Sequence, residues 1–183
     1  MSLLDLVPTP PRSDMNTGLS PAQHQTMIDI LGRPGELTQD CSDPTNQGLI
    51  ALIETKDVGP FRVTGLKPAL EDLAAIFAAV KQGNLELYNL LGTEGMLCVR
   101  AVRGSKTHFS NHSWGSAIDM KIGGLLSPMN ATHIPSGLLA LYPFFHQKGW
   151  FWAAGYNGRT DPMHFEVAEE TLIAWRDKGR LKP

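Results

Sequence analysis

The sequence predicts an α+β fold, a small antiparallel sheet packed against several helices, and three observations predict it. Leu70, Leu73, Phe77 and Val80 recur at steps of three and four, the period of a buried helix face. Short branched and aromatic runs bounded by glycines cluster between residues 96 and 167. Helices therefore come first and the strand-rich region second, the order of an α+β chain. No internal repeat or low-complexity tract interrupts it.

Residues 1–19 carry Pro8, Pro10 and Pro11 among polar residues with no sustained period. They read as an extended arm, leaving 20–183 as one folded domain. Ser20 is placed to cap a helix with Pro21 at its first position and Gln23 closing a capping box. That helix should run through Ile30 and stop at Gly32, before a turn at Pro34 and Gly35. A longer helix spans 68–82, ended by Gly83, and a shorter one spans 85–91, ended by Gly92.

Residues 96–102 and 115–122 read as strands, the second closed by Gly123 and Gly124. Residues 135–148 look helical, with Leu138, Leu141 and Phe145 on one side and Pro143 expected to kink or divide them. Strands at 150–154 and 163–167 flank a glycine-containing turn at 155–158. A last helix over 168–178 has Glu169 and Glu170 near its positive end and Arg176 and Lys178 near its negative end, most simply a solvated face.

The 183 residues are 42% hydrophobic and 19% charged, which suits a soluble domain with a real core. Sixteen Lys and Arg against eighteen Asp and Glu leave a net charge of -2, without a basic stretch, so nucleic acid is not an expected partner. No run approaches the roughly 18 apolar residues of a membrane span. The N-terminus lacks the basic start and long apolar run of a secretory signal. A monomer is the expected state. Cys41 and Cys98 can pair in an oxidising compartment or stay as two buried thiols, and the reading leans to free thiols.

The chemistry lies in two blocks. His112 and Asp119 in one, and His164 in the other, supply two imidazoles and a carboxylate. Three such ligands leave an open position for water on Zn2+, whereas a closed structural site fills all four with Cys and His. His112 and Asp119 are seven apart and would face opposite sides of an unbroken strand, so if both bind one ion something between them must turn or bulge, with Gly115 the obvious candidate. Asp161 precedes His164 by three, and Pro162 between them favours a turn leading into a strand.

Zinc held there would bring a water to a pKa of roughly 7, with Asp161 as the base that takes its proton. Glu166 alternates with His164 and shares its face, as the acceptor that orients an imidazole or as a surface acid; the former is preferred. Arg100 or Arg103 could hold a substrate carboxylate or the developing oxyanion, and three residues apart on an extended segment they point to opposite faces.

The remaining histidines, His24, His108, His133 and His146, are assigned no ligand role, although His108 is near enough to touch substrate. Trp150, Phe151 and Trp152 read as core and pocket wall. No serine sits in a Gly-x-Ser-x-Gly elbow, and Cys98 in an apolar strand lacks a cysteine-hydrolase signature.

The stretch from Ser110 through Asn111, His112, Gly115 and Ala117 to Asp119 resembles the Ser-x-His-x-x-Gly-x-Ala-x-Asp motif of the VanY-like zinc peptidases. The block Asp161, Pro162, Met163, His164, Phe165, Glu166 is similar to that family's acid-x-x-His element, and the aromatic strand after Gly149 also fits. The resemblance implies that His112, Asp119 and His164 bind zinc, that Asp161 is the base, and that Ser110 and Glu166 surround the ligands. It implies a peptidase acting on peptidoglycan stem peptides, of the D-alanyl-D-alanine carboxypeptidase or the L-alanyl-D-glutamate endopeptidase kind. Many relatives have Glu at the base position; Asp161 favours the endopeptidase branch. A Gly-Tyr-Arg element of some relatives is absent.

Taken together, the sequence predicts a zinc peptidase cutting L-alanyl-D-glutamate bonds, with D-alanyl-D-alanine cleavage as the near alternative and a non-catalytic zinc-holding binding domain as the rival of another class. Its substrate lies outside the cytoplasm, reached after removal of a leader, by lysis as for a phage endolysin, or by another secretion system.

Overall fold

A computed structural model describes residues 2–182. In chain order the strands are β1 (Leu6–Pro8), β2 (Ile53–Asp57), β3 (Arg62–Leu66), β4 (Leu91–Gly95), β5 (Ala117–Ile122), β6 (His133–Pro135), β7 (Trp150–Trp152) and β8 (His164–Val167). The helices are α1 (His24–Leu31), α2 (Gln47–Ile50), α3 (Lys67–Gly83), α4 (Leu85–Leu90), α5 (Ser136–Gln147) and α6 (Glu169–Asp177). The α+β class is as the sequence predicts. Strands β4, β5, β8 and β7, in that order, form a four-stranded antiparallel sheet, and β1 with β6 and β2 with β3 form two small antiparallel pairs.

The long helix α3 forms where its apolar period places it. Leu70, Leu73, Phe77 and Val80 are all fully buried, and Pro68 sits in the first turn, where its missing N–H costs nothing. Phe77 meets Phe145 of α5 edge-on at 6.0 Å, and Phe145 in turn packs on Phe165 of β8 at 4.3 Å. The Trp152 ring lies parallel to Phe165 at 5.7 Å. This stack fixes β8 from one face, so that alternation sends His164 and Glu166 to the other. Trp150, Phe151 and Trp152 are core residues, as read from the sequence.

Several boundaries differ from the sequence reading, each for a physical reason. The first helix begins at His24 rather than Pro21 and has no side-chain cap, because Ser20, Ala22 and Gln23 stay extended and spend their amides on Glu170, Glu166 and Glu169. Glu169 and Glu170 are thus latches and not only a solvated face. The strand expected over 96–102 lies earlier, at β4; the later segment makes only isolated bridges, Ser42 with Val99 and Ala101 with Phe109. The hairpin of β2 and β3, the short α2 and strand β6 were not foreseen. Helix α5 continues through Pro143 without being divided.

Residues 2–19 are anchored to the rest of the fold and include a 3-10 turn at Arg12–Asp14. Strand β1 pairs with β6, and the Asn16 carboxamide accepts from the Trp152 amide and donates to the Trp152 carbonyl, both at 2.9 Å. Cys41 and Cys98 form a disulfide with a Cα separation of 5.2 Å, which corrects the preference for free thiols. No helix among the described residues is long and apolar enough to cross a membrane.

Candidate metal centre

Three chain segments bring His112, Asp119 and His164 together. His112 sits in a short 3-10 turn, Asn111–Trp114, that ends at Gly115 with φ +65°, a left-handed conformation at the residue expected to break the strand. A side chain at Gly115 would also strike Gly65 Cα and the Leu66 amide at 2.8 Å, so this turn is pressed against β3. The chain then enters β5, where Asp119 is the direct cross-strand partner of His164 on β8. Direct partners in an antiparallel pair project to the same face.

The three ligating atoms converge. His112 Nε2 lies 3.2 Å from Asp119 Oδ1 and 3.1 Å from His164 Nδ1, and His164 Nδ1 lies 3.1 Å from Asp119 Oδ1. Donors about 2.1 Å from a tetrahedral Zn2+ stand about 3.4 Å apart, so the triangle is within a few tenths of an ångström of one face of such a site. The outer ring nitrogens are already committed. His112 Nδ1 donates to the Met96 carbonyl at 2.7 Å, and His164 Nε2 donates to Glu166 Oε2 at 2.9 Å. Both imidazoles therefore turn a lone pair inward beside a carboxylate oxygen, an arrangement a cation satisfies and solvent-shielded acceptors alone do not.

The charges respond accordingly. Burial pushes the Asp119 carboxyl up, but hydrogen bonds and charge from His112 and His164 outweigh it and hold the group well below the usual carboxylate range. Burial pulls His164 down, whereas hydrogen bonds to Asp119 and Glu166 drive it up to about 10.

Glu166 is completely buried and accepts from the Asn111 side chain at 2.9 Å, the Ala22 amide at 3.1 Å, the Tyr156 hydroxyl and His164. Burial and then the adjacent Glu166 push the Tyr156 hydroxyl well above its ordinary pKa, so it stays a donor. Sequence reasoning missed Asn111, Tyr156 and Ala22. Asn111 lay inside the motif at a variable position, and the other two had no local signal. Ser110, expected around the ligands, is buried nearby with its amide on the Arg100 carbonyl, and its hydroxyl bonds none of the three ligands among the described residues.

A cleft of about 380 Å³ opens over the three residues and includes Asp161, Arg100, Arg103 and Met129 in its walls. Asp161 enters β8 through the expected turn, with the His164 amide on its carbonyl at 3.0 Å. Its Oδ1 is buried without a hydrogen-bond partner, and burial raises its pKa. Arg100 is half-buried, with Nη1 on the Ala101 carbonyl, and burial lowers its pKa. Arg103 is exposed and donates to the Gln39 carbonyl at 2.8 Å.

The family model described as D-alanyl-D-alanine carboxypeptidase matches residues 103–167, the segment that runs from just before the first block of the centre to just after the second. This match supports the VanY-like zinc peptidase family and a peptidase of the D-alanyl-D-alanine carboxypeptidase type. No curated protein and no solved structure matches the chain.

Proposed function

We propose that the protein is a zinc-dependent peptidase that hydrolyses peptidoglycan stem peptides in the extracytoplasmic wall, with the L-alanyl-D-glutamate bond preferred. The reading is carried by the convergence of His112, Asp119 and His164 beneath a cleft that also holds the unpartnered Asp161. These three residues would hold the cation, and their donor set and spacing fit Zn2+. A bound Zn2+ supplies Lewis acidity that brings water to a pKa near about 7.

Asp161 takes the proton from the attacking water and returns it to the leaving amine. Its burial supports this role, since a carboxyl with a raised pKa takes a proton from water more readily and keeps it for the leaving amine. Arg100, half-buried in the cleft wall, is favoured over the exposed Arg103 to hold the substrate carboxylate or the developing oxyanion. Both guanidinium groups donate to a backbone carbonyl, Arg100 to Ala101 and Arg103 to Gln39, so burial in the cleft wall is what separates them.

The matched family's description favours a second reading, removal of a terminal D-alanine. Both reactions use the same residues and differ in how the peptide is seated. Mass spectrometry of purified wall fragments after digestion separates them, because one releases free D-alanine and the other splits L-alanine from D-glutamate. Asp161→Asn, assayed alongside, should retain zinc and lose hydrolysis. Equal turnover by wild type and this variant removes Asp161 from the reaction, and no product from metal-loaded wild type leaves the zinc-holding binding domain as the better reading.

A further inference from the structure

We propose that His24 and His108 form a carboxylate-binding subsite at the rim of the metal cleft, seating a second acidic group of the substrate apart from the one beside the cleaved bond. The proposal deepens the peptidase reading and rests on it.

The two rings come from distant parts of the chain and both line the cleft, their centroids 4.7 Å apart. His24 is held in place from both sides. The extended residues before it are tied down by Glu170 on the Ser20 amide, Glu166 on the Ala22 amide and Glu169 on the Gln23 amide, while Phe109 and Trp114 pack near its ring. Its Nε2 is shielded from water yet has no hydrogen-bond partner, a costly state for a ring nitrogen unless a ligand completes it. On His108, Nδ1 is taken by the Thr107 hydroxyl at 2.8 Å and the backbone amide by Ser105, which leaves Nε2 for a ligand.

The charge around the pair selects the ligand. Arg33 lies over the Phe109 ring at 5.3 Å, and Arg100 and Arg103 line the same cleft. The carboxylates in the cleft walls, Asp119, Asp161 and Glu166, belong to the metal centre. Burial lowers the His24 pKa, and His108 and Arg33 add to that effect. A second cation would be repelled there and would find only two imidazoles. A carboxylate accepts from Nε2 of His24 and of His108 in the tautomers that place a proton there, and the neighbouring arginines favour its charge. Acidic stem residues carry that group, and amidation removes it.

The test uses two stem peptides identical except that one acidic group is free or amidated. Metal-loaded wild type should prefer the free acid by about ten-fold or more in kcat/KM, expressed mainly in KM, as expected for a charge-assisted hydrogen bond. In His24→Ala/His108→Ala that ratio should fall towards one; an unchanged ratio overturns the subsite. Should the double variant not fold, exposed His108→Gln alone must lower the ratio. The same peptides are titrated into metal-loaded protein while the histidine ring protons are followed by NMR. This readout is independent of turnover, so absent hydrolysis with acid-selective shifts of His24 and His108 rejects the peptidase reading but keeps the subsite. No acid-selective shift overturns the subsite. Added zinc alone serves as a further probe, and a second bound equivalent that disappears in the double variant overturns it in favour of a metal pair.

Discussion

His164 Nε2 donates to Glu166 Oε2 at 2.9 Å, and this bond decides which nitrogen of His164 faces the centre. With Nε2 occupied as a donor, Nδ1 carries the inward lone pair 3.1 Å from Asp119. Glu166→Gln keeps the shape of the side chain but removes the charge and permits the opposite tautomer. Zinc affinity should fall by about 10–100-fold. Competition against a chromophoric chelator measures it, and an unchanged affinity would show that Asp119 and His112 alone set the ring.

Gly115→Ala tests the turn that reconciles His112 with Asp119. The residue sits at φ +65°, and the added methyl would meet β3 backbone at 2.8 Å. The left-handed backbone costs about 1–3 kcal/mol for a non-glycine residue, before the clash is counted. Chemical denaturation should show a loss at least that large. Zinc affinity should fall with it, since relief of the clash moves His112 away from β5; a variant as stable as wild type removes the argument.

The centre was legible because its parts are local in sequence. The spacing of His112 and Asp119 demanded a break, glycine supplied it, and the Asp161-to-His164 turn carried its own proline. The arm was harder to read. Asn16 and Ala22 act through a backbone-like pairing with Trp152 and an amide donated to Glu166, and neither leaves a mark in composition. The hairpin of β2 and β3 leaves a weak mark in the sequence because Glu54, Lys56 and Arg62 dilute its alternation. The displaced strand at β4 has the same origin. Its pairing with β5 is set by tertiary register, while the more β-rich residues that follow are used to frame His112.

Asp72 on α3 offers a pH test away from the centre. Burial raises its carboxyl pKa, opposed by the Trp150 indole at 3.4 Å and then by Arg180 and Lys148. A carboxyl that binds its proton more tightly folded than unfolded costs stability above its folded pKa. The cost is relieved as pH falls through that value towards the unfolded 3.8. Asp72→Asn should therefore be more stable than wild type at pH 7, and the gap should close as the pH is lowered through the folded pKa. Thermal melts across that range read the difference. A variant less stable at pH 7 would mean that the hydrogen bond to Trp150 outweighs desolvation.

The disulfide bears on the centre through the residues next to Cys98. The Cys98 amide donates to the His112 carbonyl at 3.1 Å, Met96 two residues earlier accepts from the His112 ring, and the Arg100 amide donates to Ser113 Oγ at 3.1 Å. Residues 96–100 thus grip the first ligand along its backbone and its side chain, and the link to Cys41 ties that segment to the loop that also pairs Ser42 with Val99. The bond closes a loop of 57 residues, and removing such a constraint on the unfolded chain costs about 2–4 kcal/mol. Reduction should lower the melting temperature of wild type, and Cys41→Ser/Cys98→Ser should melt at the reduced value whether or not reductant is present. Zinc affinity should drop in parallel, because the segment that aims His112 loses its anchor. If the melting temperature falls while zinc affinity holds, the hydrogen bonds of Met96 and Cys98 suffice to position the ring, and the disulfide stabilises the fold without reaching the metal.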